Sequence, residues 1–338
     1  MTGTHARLAI RADGDSRLGF GHVIRCAALA QALLDAGHAL IWFSQTPHAI
    51  PASLASRIEV RPIPAGGDTD GSLLPALTDA RIDGLIADWQ ITDAPLCAQL
   101  RRAGFWLALV GNHHSNAEAD LYIRQGFEPT QTGALMQVCD GREHILLAPD
   151  YASRPPRTIR PQAQRLLISL GGSETPVLEA VLAALDNLPE LEGVMIDIKR
   201  AAPGTTALPE AGLLAELCAA DIAILGAGTT LHEAAATGLA AIALPIAANQ
   251  RERARQFAAL GLGLSLDPTA TGFAEDLRQA LRGLLEAPAR RQALARASEA
   301  AVDGRGADRV ASRISYLVSA TQTQLNSTIS RTAAGPAA

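Results

Sequence analysis

Short aliphatic runs alternate along the chain with longer stretches in which apolar residues recur every three or four positions. Runs at 8–12, 39–43, 84–87, 106–110 and 121–123 predict strands, and 22–36 and 95–103 predict helices. In the first helix Val23, Cys26, Ala27, Ala30, Leu33 and Leu34 share a face, and Gly37 follows as a stop. The pattern breaks at 151–161, where Pro155, Pro156 and Pro161 stand among arginines, as in an interdomain linker. Alternation then resumes, with strands predicted at 165–170, 194–198, 222–225 and 241–244. Helices are predicted at 175–187, 212–218, 230–237 and 249–259, and 273–317 reads as helical throughout. Strands alternating with helices imply parallel sheets covered on both faces. The expectation is an α/β protein with two Rossmann-like domains, 1–154 and 155–320, facing a cleft. Residues 321–338, rich in Thr, Ser, Gln and Ala without periodicity, predict a disordered tail.

Composition narrows what the cleft can hold. Hydrophobic residues make up 48% of the 338 and aromatics 4%, so the cores must be aliphatic. The net charge is −5 and Lys199 is the single lysine. A nucleic-acid binder needs a basic surplus to neutralise phosphates, so that class is not expected. A phosphorylated ligand must instead be held locally, by backbone dipoles or a few placed side chains. No apolar run reaches the ~18 residues that span a bilayer, and the opening residues lack the pattern of a secretory signal. Cys26, Cys97, Cys139 and Cys218 are widely spaced and read as reduced, mostly core residues. The expectation is a cytoplasmic protein without membrane insertion.

Ligands of open α/β sheets sit at the carboxyl ends of strands, so the loops there are the candidates. After the first strand, Gly19-Phe-Gly21-His22 opens a helix. The glycines allow a sharp turn and a close approach. His22 either caps the helix or serves as a base, kept neutral by the positive end of the helix dipole. Gly171-Gly172-Ser173 and Gly226-Ala-Gly228-Thr229-Thr230 each end a strand and start a helix. Each is a tight turn or a phosphate cradle of backbone N–H groups and hydroxyls. The His232-Glu233 pair lacks a second histidine at Ala236, so no metal site is expected. Glu233 suits either two ribose hydroxyls or the helix dipole, and Asn249 and Gln250 suit sugar hydroxyls or a helix cap.

Taken in order, these motifs resemble the GT-B nucleotide-sugar proteins close to the peptidoglycan N-acetylglucosaminyltransferase. Residues 10–26, Ile-Arg-Ala-Asp-Gly-Asp-Ser-Arg-Leu-Gly-Phe-Gly-His-Val-Ile-Arg-Cys, look like the opening of one branch. These are the UDP-2,4-diacetamido-2,4,6-trideoxy-β-L-altropyranose hydrolases of pseudaminic acid synthesis. The resemblance covers about residues 8–265 and implies a GT-B-like fold with a UDP-sugar as small-molecule partner and no cofactor. It implies that His22 activates water for inverting, metal-independent removal of UDP. Arg11, Asp13, Gly19, Gly21, Arg25, Asp88, Asn249 and Gln250 would bind substrate. Gly171, Gly172, Ser173, Gly226, Gly228, Thr229, Thr230 and Glu233 would bind nucleotide. A glycosyltransferase using a UDP-sugar donor is the alternative. The chain departs from the hydrolase pattern at Asp88-Trp89-Gln90, where the family has Asp-His-Tyr or Asp-Ser-Tyr. It departs again at Gly111-Asn112, before His113 and His114, where the family has Asp-Asp, and at His232, where tryptophan is frequent.

Overall fold

The computed structural model describes residues 5–16, 18–68, 71–111, 117–130, 137–171, 176–186, 188–199 and 213–333. Gly172, Ser173, Asn112, His113 and His114 lie outside the described residues.

Seven parallel strands form the first sheet: β1 (Arg7–Ala12), β2 (Ala39–Ser44), β3 (Glu59–Pro62), β4 (Gly84–Asp88), β5 (Trp106–Val110), β6 (Leu121–Ile123) and β7 (Val138–Cys139). Their order is β3-β2-β1-β4-β5-β6-β7. The second sheet holds β8 (Arg165–Ser169), β9 (Met195–Lys199), β10 (Ile222–Gly226), β11 (Ala240–Leu244) and β12 (Leu264–Ser265), in the order β12-β11-β10-β8-β9. Strands β4, β5, β10 and β11 are buried along their whole length. That is why they read as unbroken apolar runs: helices cover both faces of a parallel sheet.

Strand order reverses between β1 and β4 in the first sheet and between β8 and β10 in the second. Such reversals splay the connecting helices apart and open a crevice at the strands' carboxyl ends. The described residues that follow β1, β4 and β10 therefore line one cleft between the sheets.

Helix α1 (Gly21–Asp35) follows β1. It closes with His38 N donating to Leu33 O at 3.0 Å and Gly37 N to Leu34 O at 2.9 Å. Gly37 has φ +90°, the left-handed conformation this end requires. Across the cleft, helix α2 (Thr229–Ala236) follows β10 and helix α3 (Arg251–Ala259) follows β11.

The chain does not divide cleanly at 154. Phe127, Ile145, Leu147 and Tyr151 belong to the core of the second half. Conversely, the last helix, α4 (Gly306–Ala333), returns to the first half, where Val310, Ile314 and Val318 pack beneath α1. Each such side chain contributes about 1.5–3 kcal/mol on burial, so this return strap is firmly bonded. The same helix runs through 321–333, where the composition predicted a tail. The arginine-rich linker is fastened too. Arg157 donates to Thr237 O, Ala220 O and Leu217 O at 2.7, 2.6 and 2.5 Å, and Arg154 reaches Ala236 O. These carbonyls lie at or near helix C-termini, which favour a cation. Cys26, Cys97 and Cys139 are buried free thiols, while Cys218 is exposed. Among the described residues no helix is long and apolar enough to cross a membrane.

Candidate active site in the interdomain cleft

The loop between β1 and α1 turns on Gly19, whose φ is +78° and whose N donates to Asp15 O at 2.8 Å. Gly21 serves a different purpose. A Cβ there would stand 2.8 Å from Thr229 Oγ1, so the N-termini of α1 and α2 meet at this point. The helix cap position is Phe20, with no side-chain cap, so His22 does not cap. Its ring turns instead to β4, where Nδ1 lies 2.7 Å from Asp88 Oδ1.

Asp88 organises the first half of the site. Arg25 Nε and Nη2 reach its two oxygens at 2.5 and 2.6 Å, a bidentate fork, and Cys26 Sγ lies 3.6 Å from Oδ2. The carboxylate is fully buried. Burial alone would raise its pKa, but the charge of Arg25, then His22 and the hydrogen bonds, hold it well below the usual carboxylate range. An ionised carboxylate only accepts, so Nδ1 carries the proton and donates it to Asp88. Arg25 Nη2, 3.0 Å from Nδ1, is placed there by the oxygen the two share. In the neutral ring this fixes the tautomer, with Nε2 carrying the lone pair.

Beside His22 opens a cavity of about 260 Å³, lined among others by Arg11, Gln45, Asp68 and Trp89. Arg11 is 1% exposed, with Nη1 2.6 Å from Asp13 and Nη2 2.5 Å from Asp68. Asp13 Oδ1 also accepts from Ser44 Oγ at 2.8 Å and Gln45 N at 2.7 Å. Arg11, Asp13, Arg25 and Asp88 were expected to touch substrate. The structure pairs Arg11 with Asp13 and Arg25 with Asp88, while Arg11, Asp13 and Asp88 also line the cavity. Sequence reasoning missed Asp68 and Gln45, and had Trp89 only as a departure from the family pattern. Trp89 Nε1 is buried without a hydrogen-bond partner among the described residues, a donor left over at the cavity.

On the opposite side, Gly171 ends β8 and the loop Gly226–Thr230 ends β10. Gly226 is packed so tightly that a Cβ would meet Leu170 O at 2.8 Å, and Gly228 caps α2 without a side chain. The first N–H groups of α2 are thus left for another acceptor. Gln250 Oε1 accepts from Ile246 N at 3.1 Å, which aims its amide at this loop, while Asn249 lies exposed on the turn before α3 and does not cap it.

Glu233 differs from the expectation of an open ribose contact. It is 6% exposed and hydrogen-bonded to Tyr151 and Thr230. Burial raises its pKa to about 7, with those two bonds pulling back. A free carboxyl titrates near 4.3, so between about pH 4 and 7 the folded chain keeps a proton that the unfolded chain has lost. Stability therefore falls as pH rises through that window, by about 3 kcal/mol in all, and is level above it. Urea unfolding at pH 5 and pH 8 should show the wild type losing this increment relative to Glu233→Gln. An equal pH response in both proteins would refute it.

Sheet orders, crevice and facing loops define a GT-B-like fold. No family model matches the chain. It is similar to the spore coat polysaccharide biosynthesis protein SpsG of Bacillus subtilis (strain 168), with 24% identity over 331 residues, 90% of this chain and 96% of that one. Among solved structures it is similar to spinosyn forosaminyltransferase SpnP, with a TM-score of 0.62 at 15% identity, covering 94% of this chain and all of that one. MurG of Acinetobacter baumannii superposes with a TM-score of 0.59 at 17% identity, covering 92% of this chain and 99% of that one. Spinosyn rhamnosyltransferase SpnG, solved with thymidine diphosphate, gives 0.59 at 15%, covering 88% and 95%.

Proposed function

We propose that this protein is an inverting glycosyltransferase that uses a nucleoside-diphosphate sugar, a UDP-sugar in the first instance. The observation that carries the reading is the His22–Asp88 pair, set across the cleft from the glycine loop of β10 and α2. His22 Nε2 takes the proton of an incoming hydroxyl as its oxygen bonds to the anomeric carbon. The bond from that carbon to the diphosphate oxygen breaks on the opposite face, and its electron pair leaves with the diphosphate. Attack and departure on opposite faces invert the centre. The N–H groups of α2 and the hydroxyls of Thr229 and Thr230 face the charge that builds on the leaving group. The likeness to SpsG, and to structures whose names are those of glycosyltransferases, supports transfer to a sugar of a polysaccharide.

A second reading is favoured by one observation. His22, Arg25 and Cys26, three residues of the opening that resembles the pseudaminic-type hydrolases, converge on the single carboxylate of Asp88. In that reading water replaces the acceptor hydroxyl, and UDP leaves a 2,4-diacetamido-2,4,6-trideoxy hexose.

A panel of UDP- and TDP-sugars, assayed by mass spectrometry with and without sugar acceptors, separates the two. Release of the nucleoside diphosphate should require an acceptor and yield a glycosylated product. Release at the same rate in water alone selects hydrolysis, and no turnover of any donor rejects both.

A further inference from the structure

We infer that Arg253 is a diphosphate-binding residue of the cleft, supplying the positive charge that the glycine loop lacks. This rests on the reading of the cleft as a nucleoside-diphosphate-sugar site and adds a residue to it.

The argument begins with charge matching. Three other guanidinium groups are compensated by carboxylates or by several carbonyls. Arg11 has Asp13 and Asp68, Arg25 has Asp88, and Arg157 has three carbonyls. Arg253 differs. On the first turn of α3, its Nη1 donates to Ala227 O at 2.8 Å and its Nε to Gln125 O at 3.3 Å. Among the described residues no acidic side chain pairs with it. Arg253 is half-buried; a cation partly withdrawn from water without a counter-charge is costly, and an arriving anion would relieve that cost.

Its position agrees. Ala227 is inside the loop Gly226–Thr230, and Gln125 lies in the segment that crosses from the first sheet into the second core. Arg25 approaches from α1 closely enough that its like charge, after burial, helps lower Arg253 to about 10. The neighbouring His232 is 2% exposed and kept neutral, chiefly by burial and then by these two arginines. Its ring stands edge-on to Phe127 at 5.1 Å, and Nε2 has no hydrogen-bond partner among the described residues. Among the described residues no carboxylate pairs with Arg253 in this corner. Two arginines and an uncharged histidine surround it, with a single carboxylate, Asp88, already spent on Arg25. A diphosphate arriving on the loop would place its charge against the guanidinium.

The probes are inorganic pyrophosphate, UDP and uridine, titrated by calorimetry and NMR into wild type, Arg253→Met and Arg253→Lys. The Met variant should weaken pyrophosphate and UDP about 10- to 100-fold while leaving uridine within about twofold. The Lys variant keeps the charge but not the two-carbonyl fork, and should stay within about fivefold of wild type. Equal losses of UDP and uridine, or equal losses in Met and Lys, would mean that Arg253 only clamps the loop. Unchanged pyrophosphate binding in the Met variant overturns the inference outright. Should the wild type bind pyrophosphate but not UDP, the nucleotide reading fails while Arg253 is still judged on pyrophosphate. A wild type that binds neither defeats both.

Discussion

Replacing His22 by alanine should lower kcat by about 10²- to 10⁴-fold while nucleotide affinity stays within about twofold. Loss of a positioned general base costs that much, because the incoming hydroxyl must then shed its proton to water. The fold should tolerate the change. The His22 side chain is 21% exposed and on the cleft wall, and removing it leaves the Arg25–Asp88 fork intact. In the proposed reading the nucleotide is held across the cleft at the loop after β10, so the effect should appear in kcat rather than in donor affinity. Steady-state kinetics on the preferred donor, with circular dichroism as a check on folding, decide it. Retention of more than about a tenth of the wild-type rate would remove His22 from the mechanism.

The second large effect concerns Asp88, and it should be double. Asp88→Asn keeps the shape but cannot balance Arg25, whose guanidinium is held by both carboxylate oxygens. Removing one partner of a buried pair costs about 3–5 kcal/mol, because the other charge is stranded. The amide can also present N–H to Nδ1 and select the wrong tautomer, so the rate should fall about 10³- to 10⁴-fold. The pH dependence of stability follows from the same group. Asp88 is held below its unfolded value, so its contribution is present above about pH 4 and lost as the folded carboxylate takes up its proton in stronger acid. Chemical denaturation and kinetics on Asp88→Asn test both halves. A variant as stable as wild type and slower than wild type by less than tenfold would show that Asp88 neither anchors Arg25 nor orients His22.

Legibility followed burial. The strands β1, β2, β4, β5, β10 and β11 stood out because parallel strands buried on both faces need unbroken aliphatic runs. Three strands left no such trace. β3, β7 and β12 are short and lie at sheet edges, and β3 reads Glu59-Val-Arg-Pro62, half exposed. The glycine loops and His22 were also visible, since sharp strand-to-helix turns constrain which residues can stand there. Their partners were not. Asp68 pairs with Arg11 across 57 positions, and Asp88 reaches His22 across 66. No periodicity links residues so far apart, so the bond between Asp88 and His22 could not be read from the sequence.

The amino-acid sequence by itself determined the alternation of strands and helices, the two parallel sheets and the placing of His22 and the glycine loops at strand ends. These follow from local rules: period, burial and backbone freedom. The tertiary structure alone decided how the halves are tied, with Phe127, Ile145, Leu147 and Tyr151 entering the second core and α4 returning to the first. It alone decided which charges cancel. Arg11, Arg25 and Arg157 are ordinary arginines in the sequence, as is Arg253. Packing gives the first three their counter-charges or carbonyls and, among the described residues, pairs Arg253 with no carboxylate, because ion pairing depends on separation in space and on the water excluded around it.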